Sequence, residues 1–285
     1  MKLVRYGPAG NEKPGLIDAD GTLRDLSRKV KDVDATALAS AALKELAKLD
    51  TKRLPAVKGK PRFGPCVATP SKFIAIGLNY IDHARETNSP IPEDPIVFFK
   101  TPSCIVGPND ATVAPKDSTQ LDYEVELGVV IGRTARYVDA KDAMRYVAGY
   151  CVINDVSERE FQLKKSGSQW SKGKGCDTFG PIGPWLVTTD EIKDPQSLDM
   201  WLDVNGERRQ TGNTRTMIFG VAQLVADLSR YMTLLPGDVI TTGTPPGVAL
   251  GMKPTPQWLK VGDVVTLGIQ GLGEQRQKIV AYKGR

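Results

Sequence analysis

Glu124 and Glu126 stand two residues apart in Leu-Asp-Tyr-Glu-Val-Glu-Leu-Gly-Val-Val-Ile, residues 121–131. The segment reads as one β-strand, and alternate side chains of a strand share a face, so both carboxylates point the same way. The apolar residues around them indicate a buried strand. Parallel carboxylates are costly to bury unless positive charge sits between them. A divalent cation is the simplest answer; a strand that turns two glutamates into water is the other reading, and the pair alone leaves both open. A second apolar strand, 147–155, ends in Asn154-Asp155. A strand–helix–strand arrangement lays the two strands side by side and brings Asp155 near the glutamates. Three carboxylates with no histidine or cysteine cluster favour a hard cation, Mg²⁺ or Mn²⁺ rather than Zn²⁺.

His83 is the single histidine of the chain, and Glu86 follows three residues later. On a helix over 80–87 the two side chains share a face and can hydrogen-bond, which orients the imidazole as a general base needs. An incidental histidine is the alternative. Asn88-Ser-Pro-Ile-Pro-Glu-Asp-Pro95 then reads as a proline-rich connection that can move over a site as a lid. Lys100 ends an apolar strand that starts at Ile96. Residues 157–165 read as a helix with Ser157 as N-cap and Glu160 completing a capping box, which places Arg159 and Gln162 on one face. Residues 171–184 carry too many glycines for a helix and present Lys172 and Lys174 on a loop, whose plain reading is a solvated basic loop. The stretch 242–248, Thr-Gly-Thr-Pro-Pro-Gly-Val, follows a strand and offers main-chain amides and hydroxyls to an anionic group.

The elements around these residues are mostly strands. Residues 1–27 form an antiparallel meander turning through Asp18-Ala-Asp-Gly21, and 34–49 form a packing helix with Asp34 as N-cap. Proline and glycine crowd residues 50–71, which marks a boundary between a small N-terminal α/β cap domain, 1–70, and a larger domain, 71–285. Asn205-Gly206 joins a hairpin over 199–210, an amphipathic helix spans 216–232, and strand pairs over 261–282 close the chain. The net charge of +5 comes from interleaved residues without a basic block, which argues against nucleic acid as a partner. Cys66, Cys104, Cys151 and Cys176 fit neither a zinc pattern nor a disulfide framework, and are expected reduced and mostly buried. The chain opens on a strand-like segment and carries no apolar run of membrane-spanning length, so a cytoplasmic location is expected.

From residue 72 onward the sequence resembles the fumarylacetoacetate hydrolase superfamily. The resemblance rests on Ile76-Gly-Leu-Asn-Tyr-Ile-Asp-His83 with Glu86, Asp122-Tyr-Glu-Val-Glu-Leu-Gly128, Asn154-Asp155, Lys174 among its glycines, Val204-Asn-Gly-Glu207 and Thr242-Gly-Thr-Pro245, in that order. It implies a mainly β fold with α+β elements, a mixed β-sandwich roll, commonly homodimeric and dependent on Mg²⁺ or a similar ion. It also implies that Glu124, Glu126 and Asp155 bind the metal. His83 with Glu86 would activate water, Lys174 would stabilise developing negative charge, and Arg159, Gln162 and Thr244 would contact substrate oxygens. Within the superfamily, Leu78–Asn88 and Gly173–Pro181 look most like hydrolases of 2,4-diketo-3-deoxy-L-rhamnonate or L-fuconate, which release pyruvate and L-lactate. Acylpyruvate hydrolase, fumarylpyruvate hydrolase and oxaloacetate decarboxylase share the same metal strand, and a non-catalytic metal-binding structural protein is the alternative from another class.

Overall fold

The carboxylate strand lies inside the larger of two main sheets. The computed structural model describes residues 1–284, and its main sheet runs in the order Leu23–Asp25, Lys13–Ile17, Lys2–Tyr6, Gly180–Thr188, Val147–Asn154, Val125–Ile131, Val239–Thr241, Phe73–Gly77, Ile96–Lys100. Ile105–Val106 pairs in parallel with Gly180–Thr188. A five-stranded sheet, in the order Glu207–Asn213, Asp199–Val204, Val264–Ile269, Gly273–Ala281, Thr112–Ala114, shares one core with it. The result is the mainly β fold with few, short helices that the sequence led us to expect.

Every residue of Val125–Ile131 and of Val147–Asn154 is buried. Strands covered on both faces read as continuous apolar runs, which is why neither shows a clean polar alternation. The two pair antiparallel, with Glu126 opposite Ile153 and Val125 opposite Asn154. The meander of the first 27 residues forms as expected and extends the same sheet, Lys2–Tyr6 pairing with Gly180–Thr188. Asn205 and Gly206 both adopt positive φ, +53° and +81°, the type I′ turn that their identity demands. All four cysteines are free thiols, and three are buried. Among the described residues no helix is long and apolar enough to cross a membrane.

Three local expectations are corrected. The helix over 34–49 is two helices, Ala35–Leu38 and Ser40–Leu46, although Asp34 caps the first as expected. The break falls where Ser40 N donates to the carbonyl of Gly132 at 3.1 Å, a tertiary bond that replaces a helical one. Ser157 does not cap a helix: Ser157–Glu158 is a short strand paired with Leu121–Asp122. Glu158 is the N-cap of Arg159–Leu163, its carboxylate accepting from Phe161 N at 2.7 Å. Glycine-rich Ser171–Lys174 is helical rather than looped, because Gly173 fits where a Cβ would come within 2.4 Å of Gln162 N.

Candidate metal centre and active site

The expected strand 121–131 is two pieces, Leu121–Asp122 and Val125–Ile131. Between them, Glu124 N donates to Asn154 Oδ1 at 3.2 Å and Val125 N to Gln210 Oε1 at 2.9 Å, so side chains replace the ladder. Asp155 N donates in turn to the carbonyl of Glu124 at 2.9 Å, which ties the second acidic segment to the first. Glu124, Glu126 and Asp155 consequently each bring one carboxylate oxygen to a single locus, all three oxygens within 4.8 Å of one another. All three residues are buried, which removes the solvent-facing reading of the strand.

Cations are distributed unevenly over this cluster. Lys174 Nζ bridges Glu124 Oε2 at 2.7 Å and Asp155 Oδ2 at 2.9 Å, and is itself only 2 % exposed. Burial alone would favour its neutral form, but the charges of Asp155 and Glu124 outweigh that and keep it an ammonium. Arg159 donates through all three nitrogens: Nε to Asp122 Oδ2, Nη1 to Gln162 Oε1 and Nη2 to Glu124 Oε1, at 2.8, 2.9 and 2.5 Å. Burial pushes the Glu124 carboxyl up, yet Lys174 and then Arg159 hold it well below the usual carboxylate range.

Glu126 is different, for its partners are neutral. Thr241 Oγ1 and Gly243 N donate to its Oε2 at 2.5 and 2.7 Å. Burial, followed by the charges of Asp155 and Glu124, pushes its carboxyl well above the ordinary value. Four buried carboxylates, Asp122 included, thus meet three cations, and the carboxylate without an ion pair is one of the three that converge. Oxygen donors at this spacing, short of positive charge, fit a hard divalent cation.

His83 and Glu86 lie on the helix Ile81–Glu86, with His83 Nδ1 and Glu86 Oε2 2.9 Å apart. A carboxylate only accepts, so this contact places a proton on Nδ1, and in the neutral ring Nε2 is then the proton acceptor. The other Glu86 oxygen accepts from Gly247 N at 2.9 Å. The glycine-rich stretch 242–248 therefore does hold carboxyl groups, and they are the protein's own: Glu126 through Gly243 and Glu86 through Gly247.

One cavity of about 360 Å³ is lined by His83, Glu86, Glu124, Glu126, Arg159, Gln162, Lys174 and Thr244. Asp155 lies behind Lys174 and is not part of the wall. Lys172 is on the surface, its Nζ donating to the carbonyl of Lys165, so of the two lysines only Lys174 belongs to the site. Thr244 Oγ1 is engaged internally, donating to Val125 O at 2.9 Å and accepting from Gln210 Nε2 at 2.8 Å.

Lys100 has a part that its sequence position only hinted at. It is 1 % exposed and donates to Asp155 Oδ1 at 2.5 Å, to Val156 O and to the main-chain oxygen of Lys174. A lysine closing the apolar run Ile-Val-Phe-Phe was the available signal, but nothing local says where its ammonium goes. Asp122 continues the alternation of Glu124 and Glu126 toward the N-terminus. The interruption of the strand at 123–124 directs it to Arg159 and to the amides of Ala249 and Leu250, away from the cluster.

Two packed sheets with few helices and an acid-lined cavity, sited where Val125–Ile131 begins and Val147–Asn154 and Val239–Thr241 end, define a mixed, mainly β roll. Residues 72–280 match the fumarylacetoacetate (FAA) hydrolase C-terminal family, and the chain belongs to that family. A Burkholderia multivorans protein, assigned to the hydrolases without a stated substrate, is 62% identical over 277 residues, covering 97% of this chain and 98% of its own. The structure of fumarylacetoacetate hydrolase from Exiguobacterium antarcticum superposes with a TM-score of 0.88 at 36% identity, covering 99% of this chain and 100% of that one. Maleylpyruvate hydrolase from Sphingobium sp. SYK-6, solved with manganese(II) and pyruvate, superposes with a TM-score of 0.82 at 28% identity over the same shares.

Proposed function

We propose that this chain is a divalent-cation-dependent hydrolase that cleaves the carbon–carbon bond of a 2,4-diketo acid and releases pyruvate. The observation that carries the reading is the meeting, in and behind one cavity wall, of a charge-deficient carboxylate cluster, a buried ammonium and an oriented imidazole. Manganese and pyruvate bound together in the Sphingobium neighbour support it. Glu124, Glu126 and Asp155 hold the cation, Mg²⁺ or Mn²⁺, which when bound supplies positive charge against an enolate. His83 Nε2 removes a proton from water while Glu86 fixes the ring, and the resulting hydroxide adds to the C4 carbonyl. The C3–C4 bond then breaks and its electron pair moves into the C2–C3 enolate. Lys174 faces that charge as a fixed ammonium, and protonation at C3 completes pyruvate.

Among the remaining candidates, Gln162 keeps its amide NH₂ free of hydrogen bonds within the described residues, and we assign it to the substrate carboxylate. Arg159 and Thr244 contribute by holding Glu124 and the Val125 carbonyl at the cavity wall. In its finest form the reading names 2,4-diketo-3-deoxy-L-rhamnonate or L-fuconate, split into pyruvate and L-lactate by a cytoplasmic homodimer. Pyruvate release is followed with purified protein and Mg²⁺ or Mn²⁺ on these substrates, on acylpyruvates, on fumarylpyruvate and on oxaloacetate. Turnover of a diketo acid is expected, with His83→Ala lowering kcat by about 10²–10⁴-fold at unchanged metal affinity. Turnover of oxaloacetate alone would make the protein a decarboxylase, and tight metal binding without any turnover would make it a structural metal protein.

A further inference from the structure

The cavity has a second wall that the proposed chemistry does not use. Opposite in character to the acidic cluster, it is formed by Phe98, Leu163, Trp170 and Leu250. Leu163 is 50% exposed, an apolar side chain left at the mouth of a polar site. Trp170 is seated by a specific vacancy in the sheet: a Cβ on Gly77 would lie 2.2 Å from its Cζ3 and 2.9 Å from its Cη2. Gly77 ends the strand Phe73–Gly77 in ordinary strand pairing, without a positive φ, so the missing side chain serves space and not backbone conformation. The indole is fixed from the side as well, packing edge-on to Phe98 with centroids 5.5 Å apart and planes inclined by 61°. Lys174 Nζ lies over the same Phe98 ring, 5.5 Å from its centroid. The aromatic pair therefore begins beside the ammonium that faces the reacting carbons and leads away from it. No hydrogen bond within the described residues engages the indole N–H.

We propose that Trp170 is the specificity-determining residue for the acyl end of the substrate, selecting a 2,4-dioxo acid whose tail ends in an apolar group over one whose tail ends in a carboxylate. The proposal rests on the hydrolase reading above for the placement of the pyruvoyl end at the carboxylate cluster. With that end fixed, the tail beyond C4 extends along Phe98 onto the indole. A carboxylate there would lose its hydration against two aromatic rings and Leu163, and the indole N–H, with the exposed Lys253 further along the lining, returns only part of it. An apolar end gains contact area, and a single methylene in such a pocket changes kcat/KM by about 10–200-fold. The diketo-deoxy sugar acids named above end in a methyl group and fall within this class.

The test compares two 2,4-dioxo acids of equal length, one ending in methyl and one in carboxylate, with oxalate as a probe of the head-group site. The parent protein with Mn²⁺ is expected to favour the methyl-ended acid by at least about 10-fold in kcat/KM. Trp170→Ala is expected to remove most of that preference, Trp170→Phe to keep most of it, and all three proteins to bind oxalate alike. Gly77→Ala displaces the indole without deleting it and should erode the preference in the same direction. Equal losses on both acids, or weakened oxalate binding in Trp170→Ala, would show that Trp170 merely supports the helix carrying Lys174 and would overturn the proposal. A parent that favours the carboxylate-ended acid would overturn it too. Should neither acid be cleaved, calorimetric binding of the two acids still decides: a methyl preference lost in Trp170→Ala upholds the role of Trp170 while the hydrolase reading fails.

Discussion

Lys100 and Asp155 form an ion pair almost wholly removed from water, with side chains 0% and 1% exposed. Removing one member of a buried pair costs about 3–5 kcal/mol when the charge left behind is uncompensated, and the lower end applies here because Lys174 also pairs with Asp155. Lys100→Met is expected to lower the unfolding free energy by that order, measured in urea, and the Lys100→Met/Asp155→Asn double variant to recover a substantial part. A single variant as stable as the parent would show that the pair is not holding Asp155 in place. The same residues show how far spacing carries a reading. Glu124 and Glu126 were legible as a pair because a strand has a period of two. Their different surroundings, an ammonium and a guanidinium for one and neutral donors for the other, come from Lys174, Arg159, Thr241 and Gly243, which lie far away along the chain.

Among the elements, the N-terminal meander carries its own pH-sensitive contact. Tyr6 Oη donates to Asp25 Oδ2 at 2.7 Å and Ser27 N to Asp25 Oδ1 at 2.6 Å. Burial pushes the Asp25 carboxyl up, but these bonds outweigh it and hold the group below the ordinary carboxylate value of 3.8. A depressed carboxylate binds fewer protons folded than unfolded. Its stabilisation is therefore present above pH 3.8 and is lost as the pH falls through the lower folded value. Tyr6→Phe is expected to flatten this acid limb of the stability curve, followed by circular dichroism between pH 5 and about pH 2; an unchanged acid limb would discount the contact. Element boundaries were harder to read than element types. Asp34 was legible as a cap because capping is local, whereas the break at Ala39 depends on the carbonyl of Gly132, which no helical periodicity contains. Glycine propensity makes Ser171–Lys174 look like a loop in the sequence, while close packing on Gln162 and on the Glu158 carbonyl requires the small residue in a helix.

For the whole molecule, the charge deficit of the cluster predicts that a divalent cation stabilises the fold. A ligand at 100 times its dissociation constant adds about 2.7 kcal/mol. At roughly 2–4 °C per kcal/mol for a chain of this size, Tm should rise by about 5–10 °C with saturating Mn²⁺ and fall back with a chelator. Glu126→Gln removes a charged donor from the convergent set and should abolish most of the rise. A Tm indifferent to Mn²⁺ would argue that Lys174 already satisfies the cluster.

The sequence by itself determined the mainly β character, the apolar central strands and the turn at Asn205-Gly206, and its spacing paired Glu124 with Glu126 and His83 with Glu86, whereas Lys174 stood out only through the family resemblance. These follow from periodicity, local turn chemistry and ordered motifs, all properties of short stretches. Only the tertiary structure decided that Lys174 is buried between Glu124 and Asp155, that Lys100 holds Asp155, and that the glycine-rich stretch after Thr241 grips Glu126 and Glu86. It also decided that Trp170 faces the cavity over Gly77. Each of these contacts joins side chains distant in sequence across strand ends, and their partners are set by sheet order and register, which no single stretch of the chain specifies.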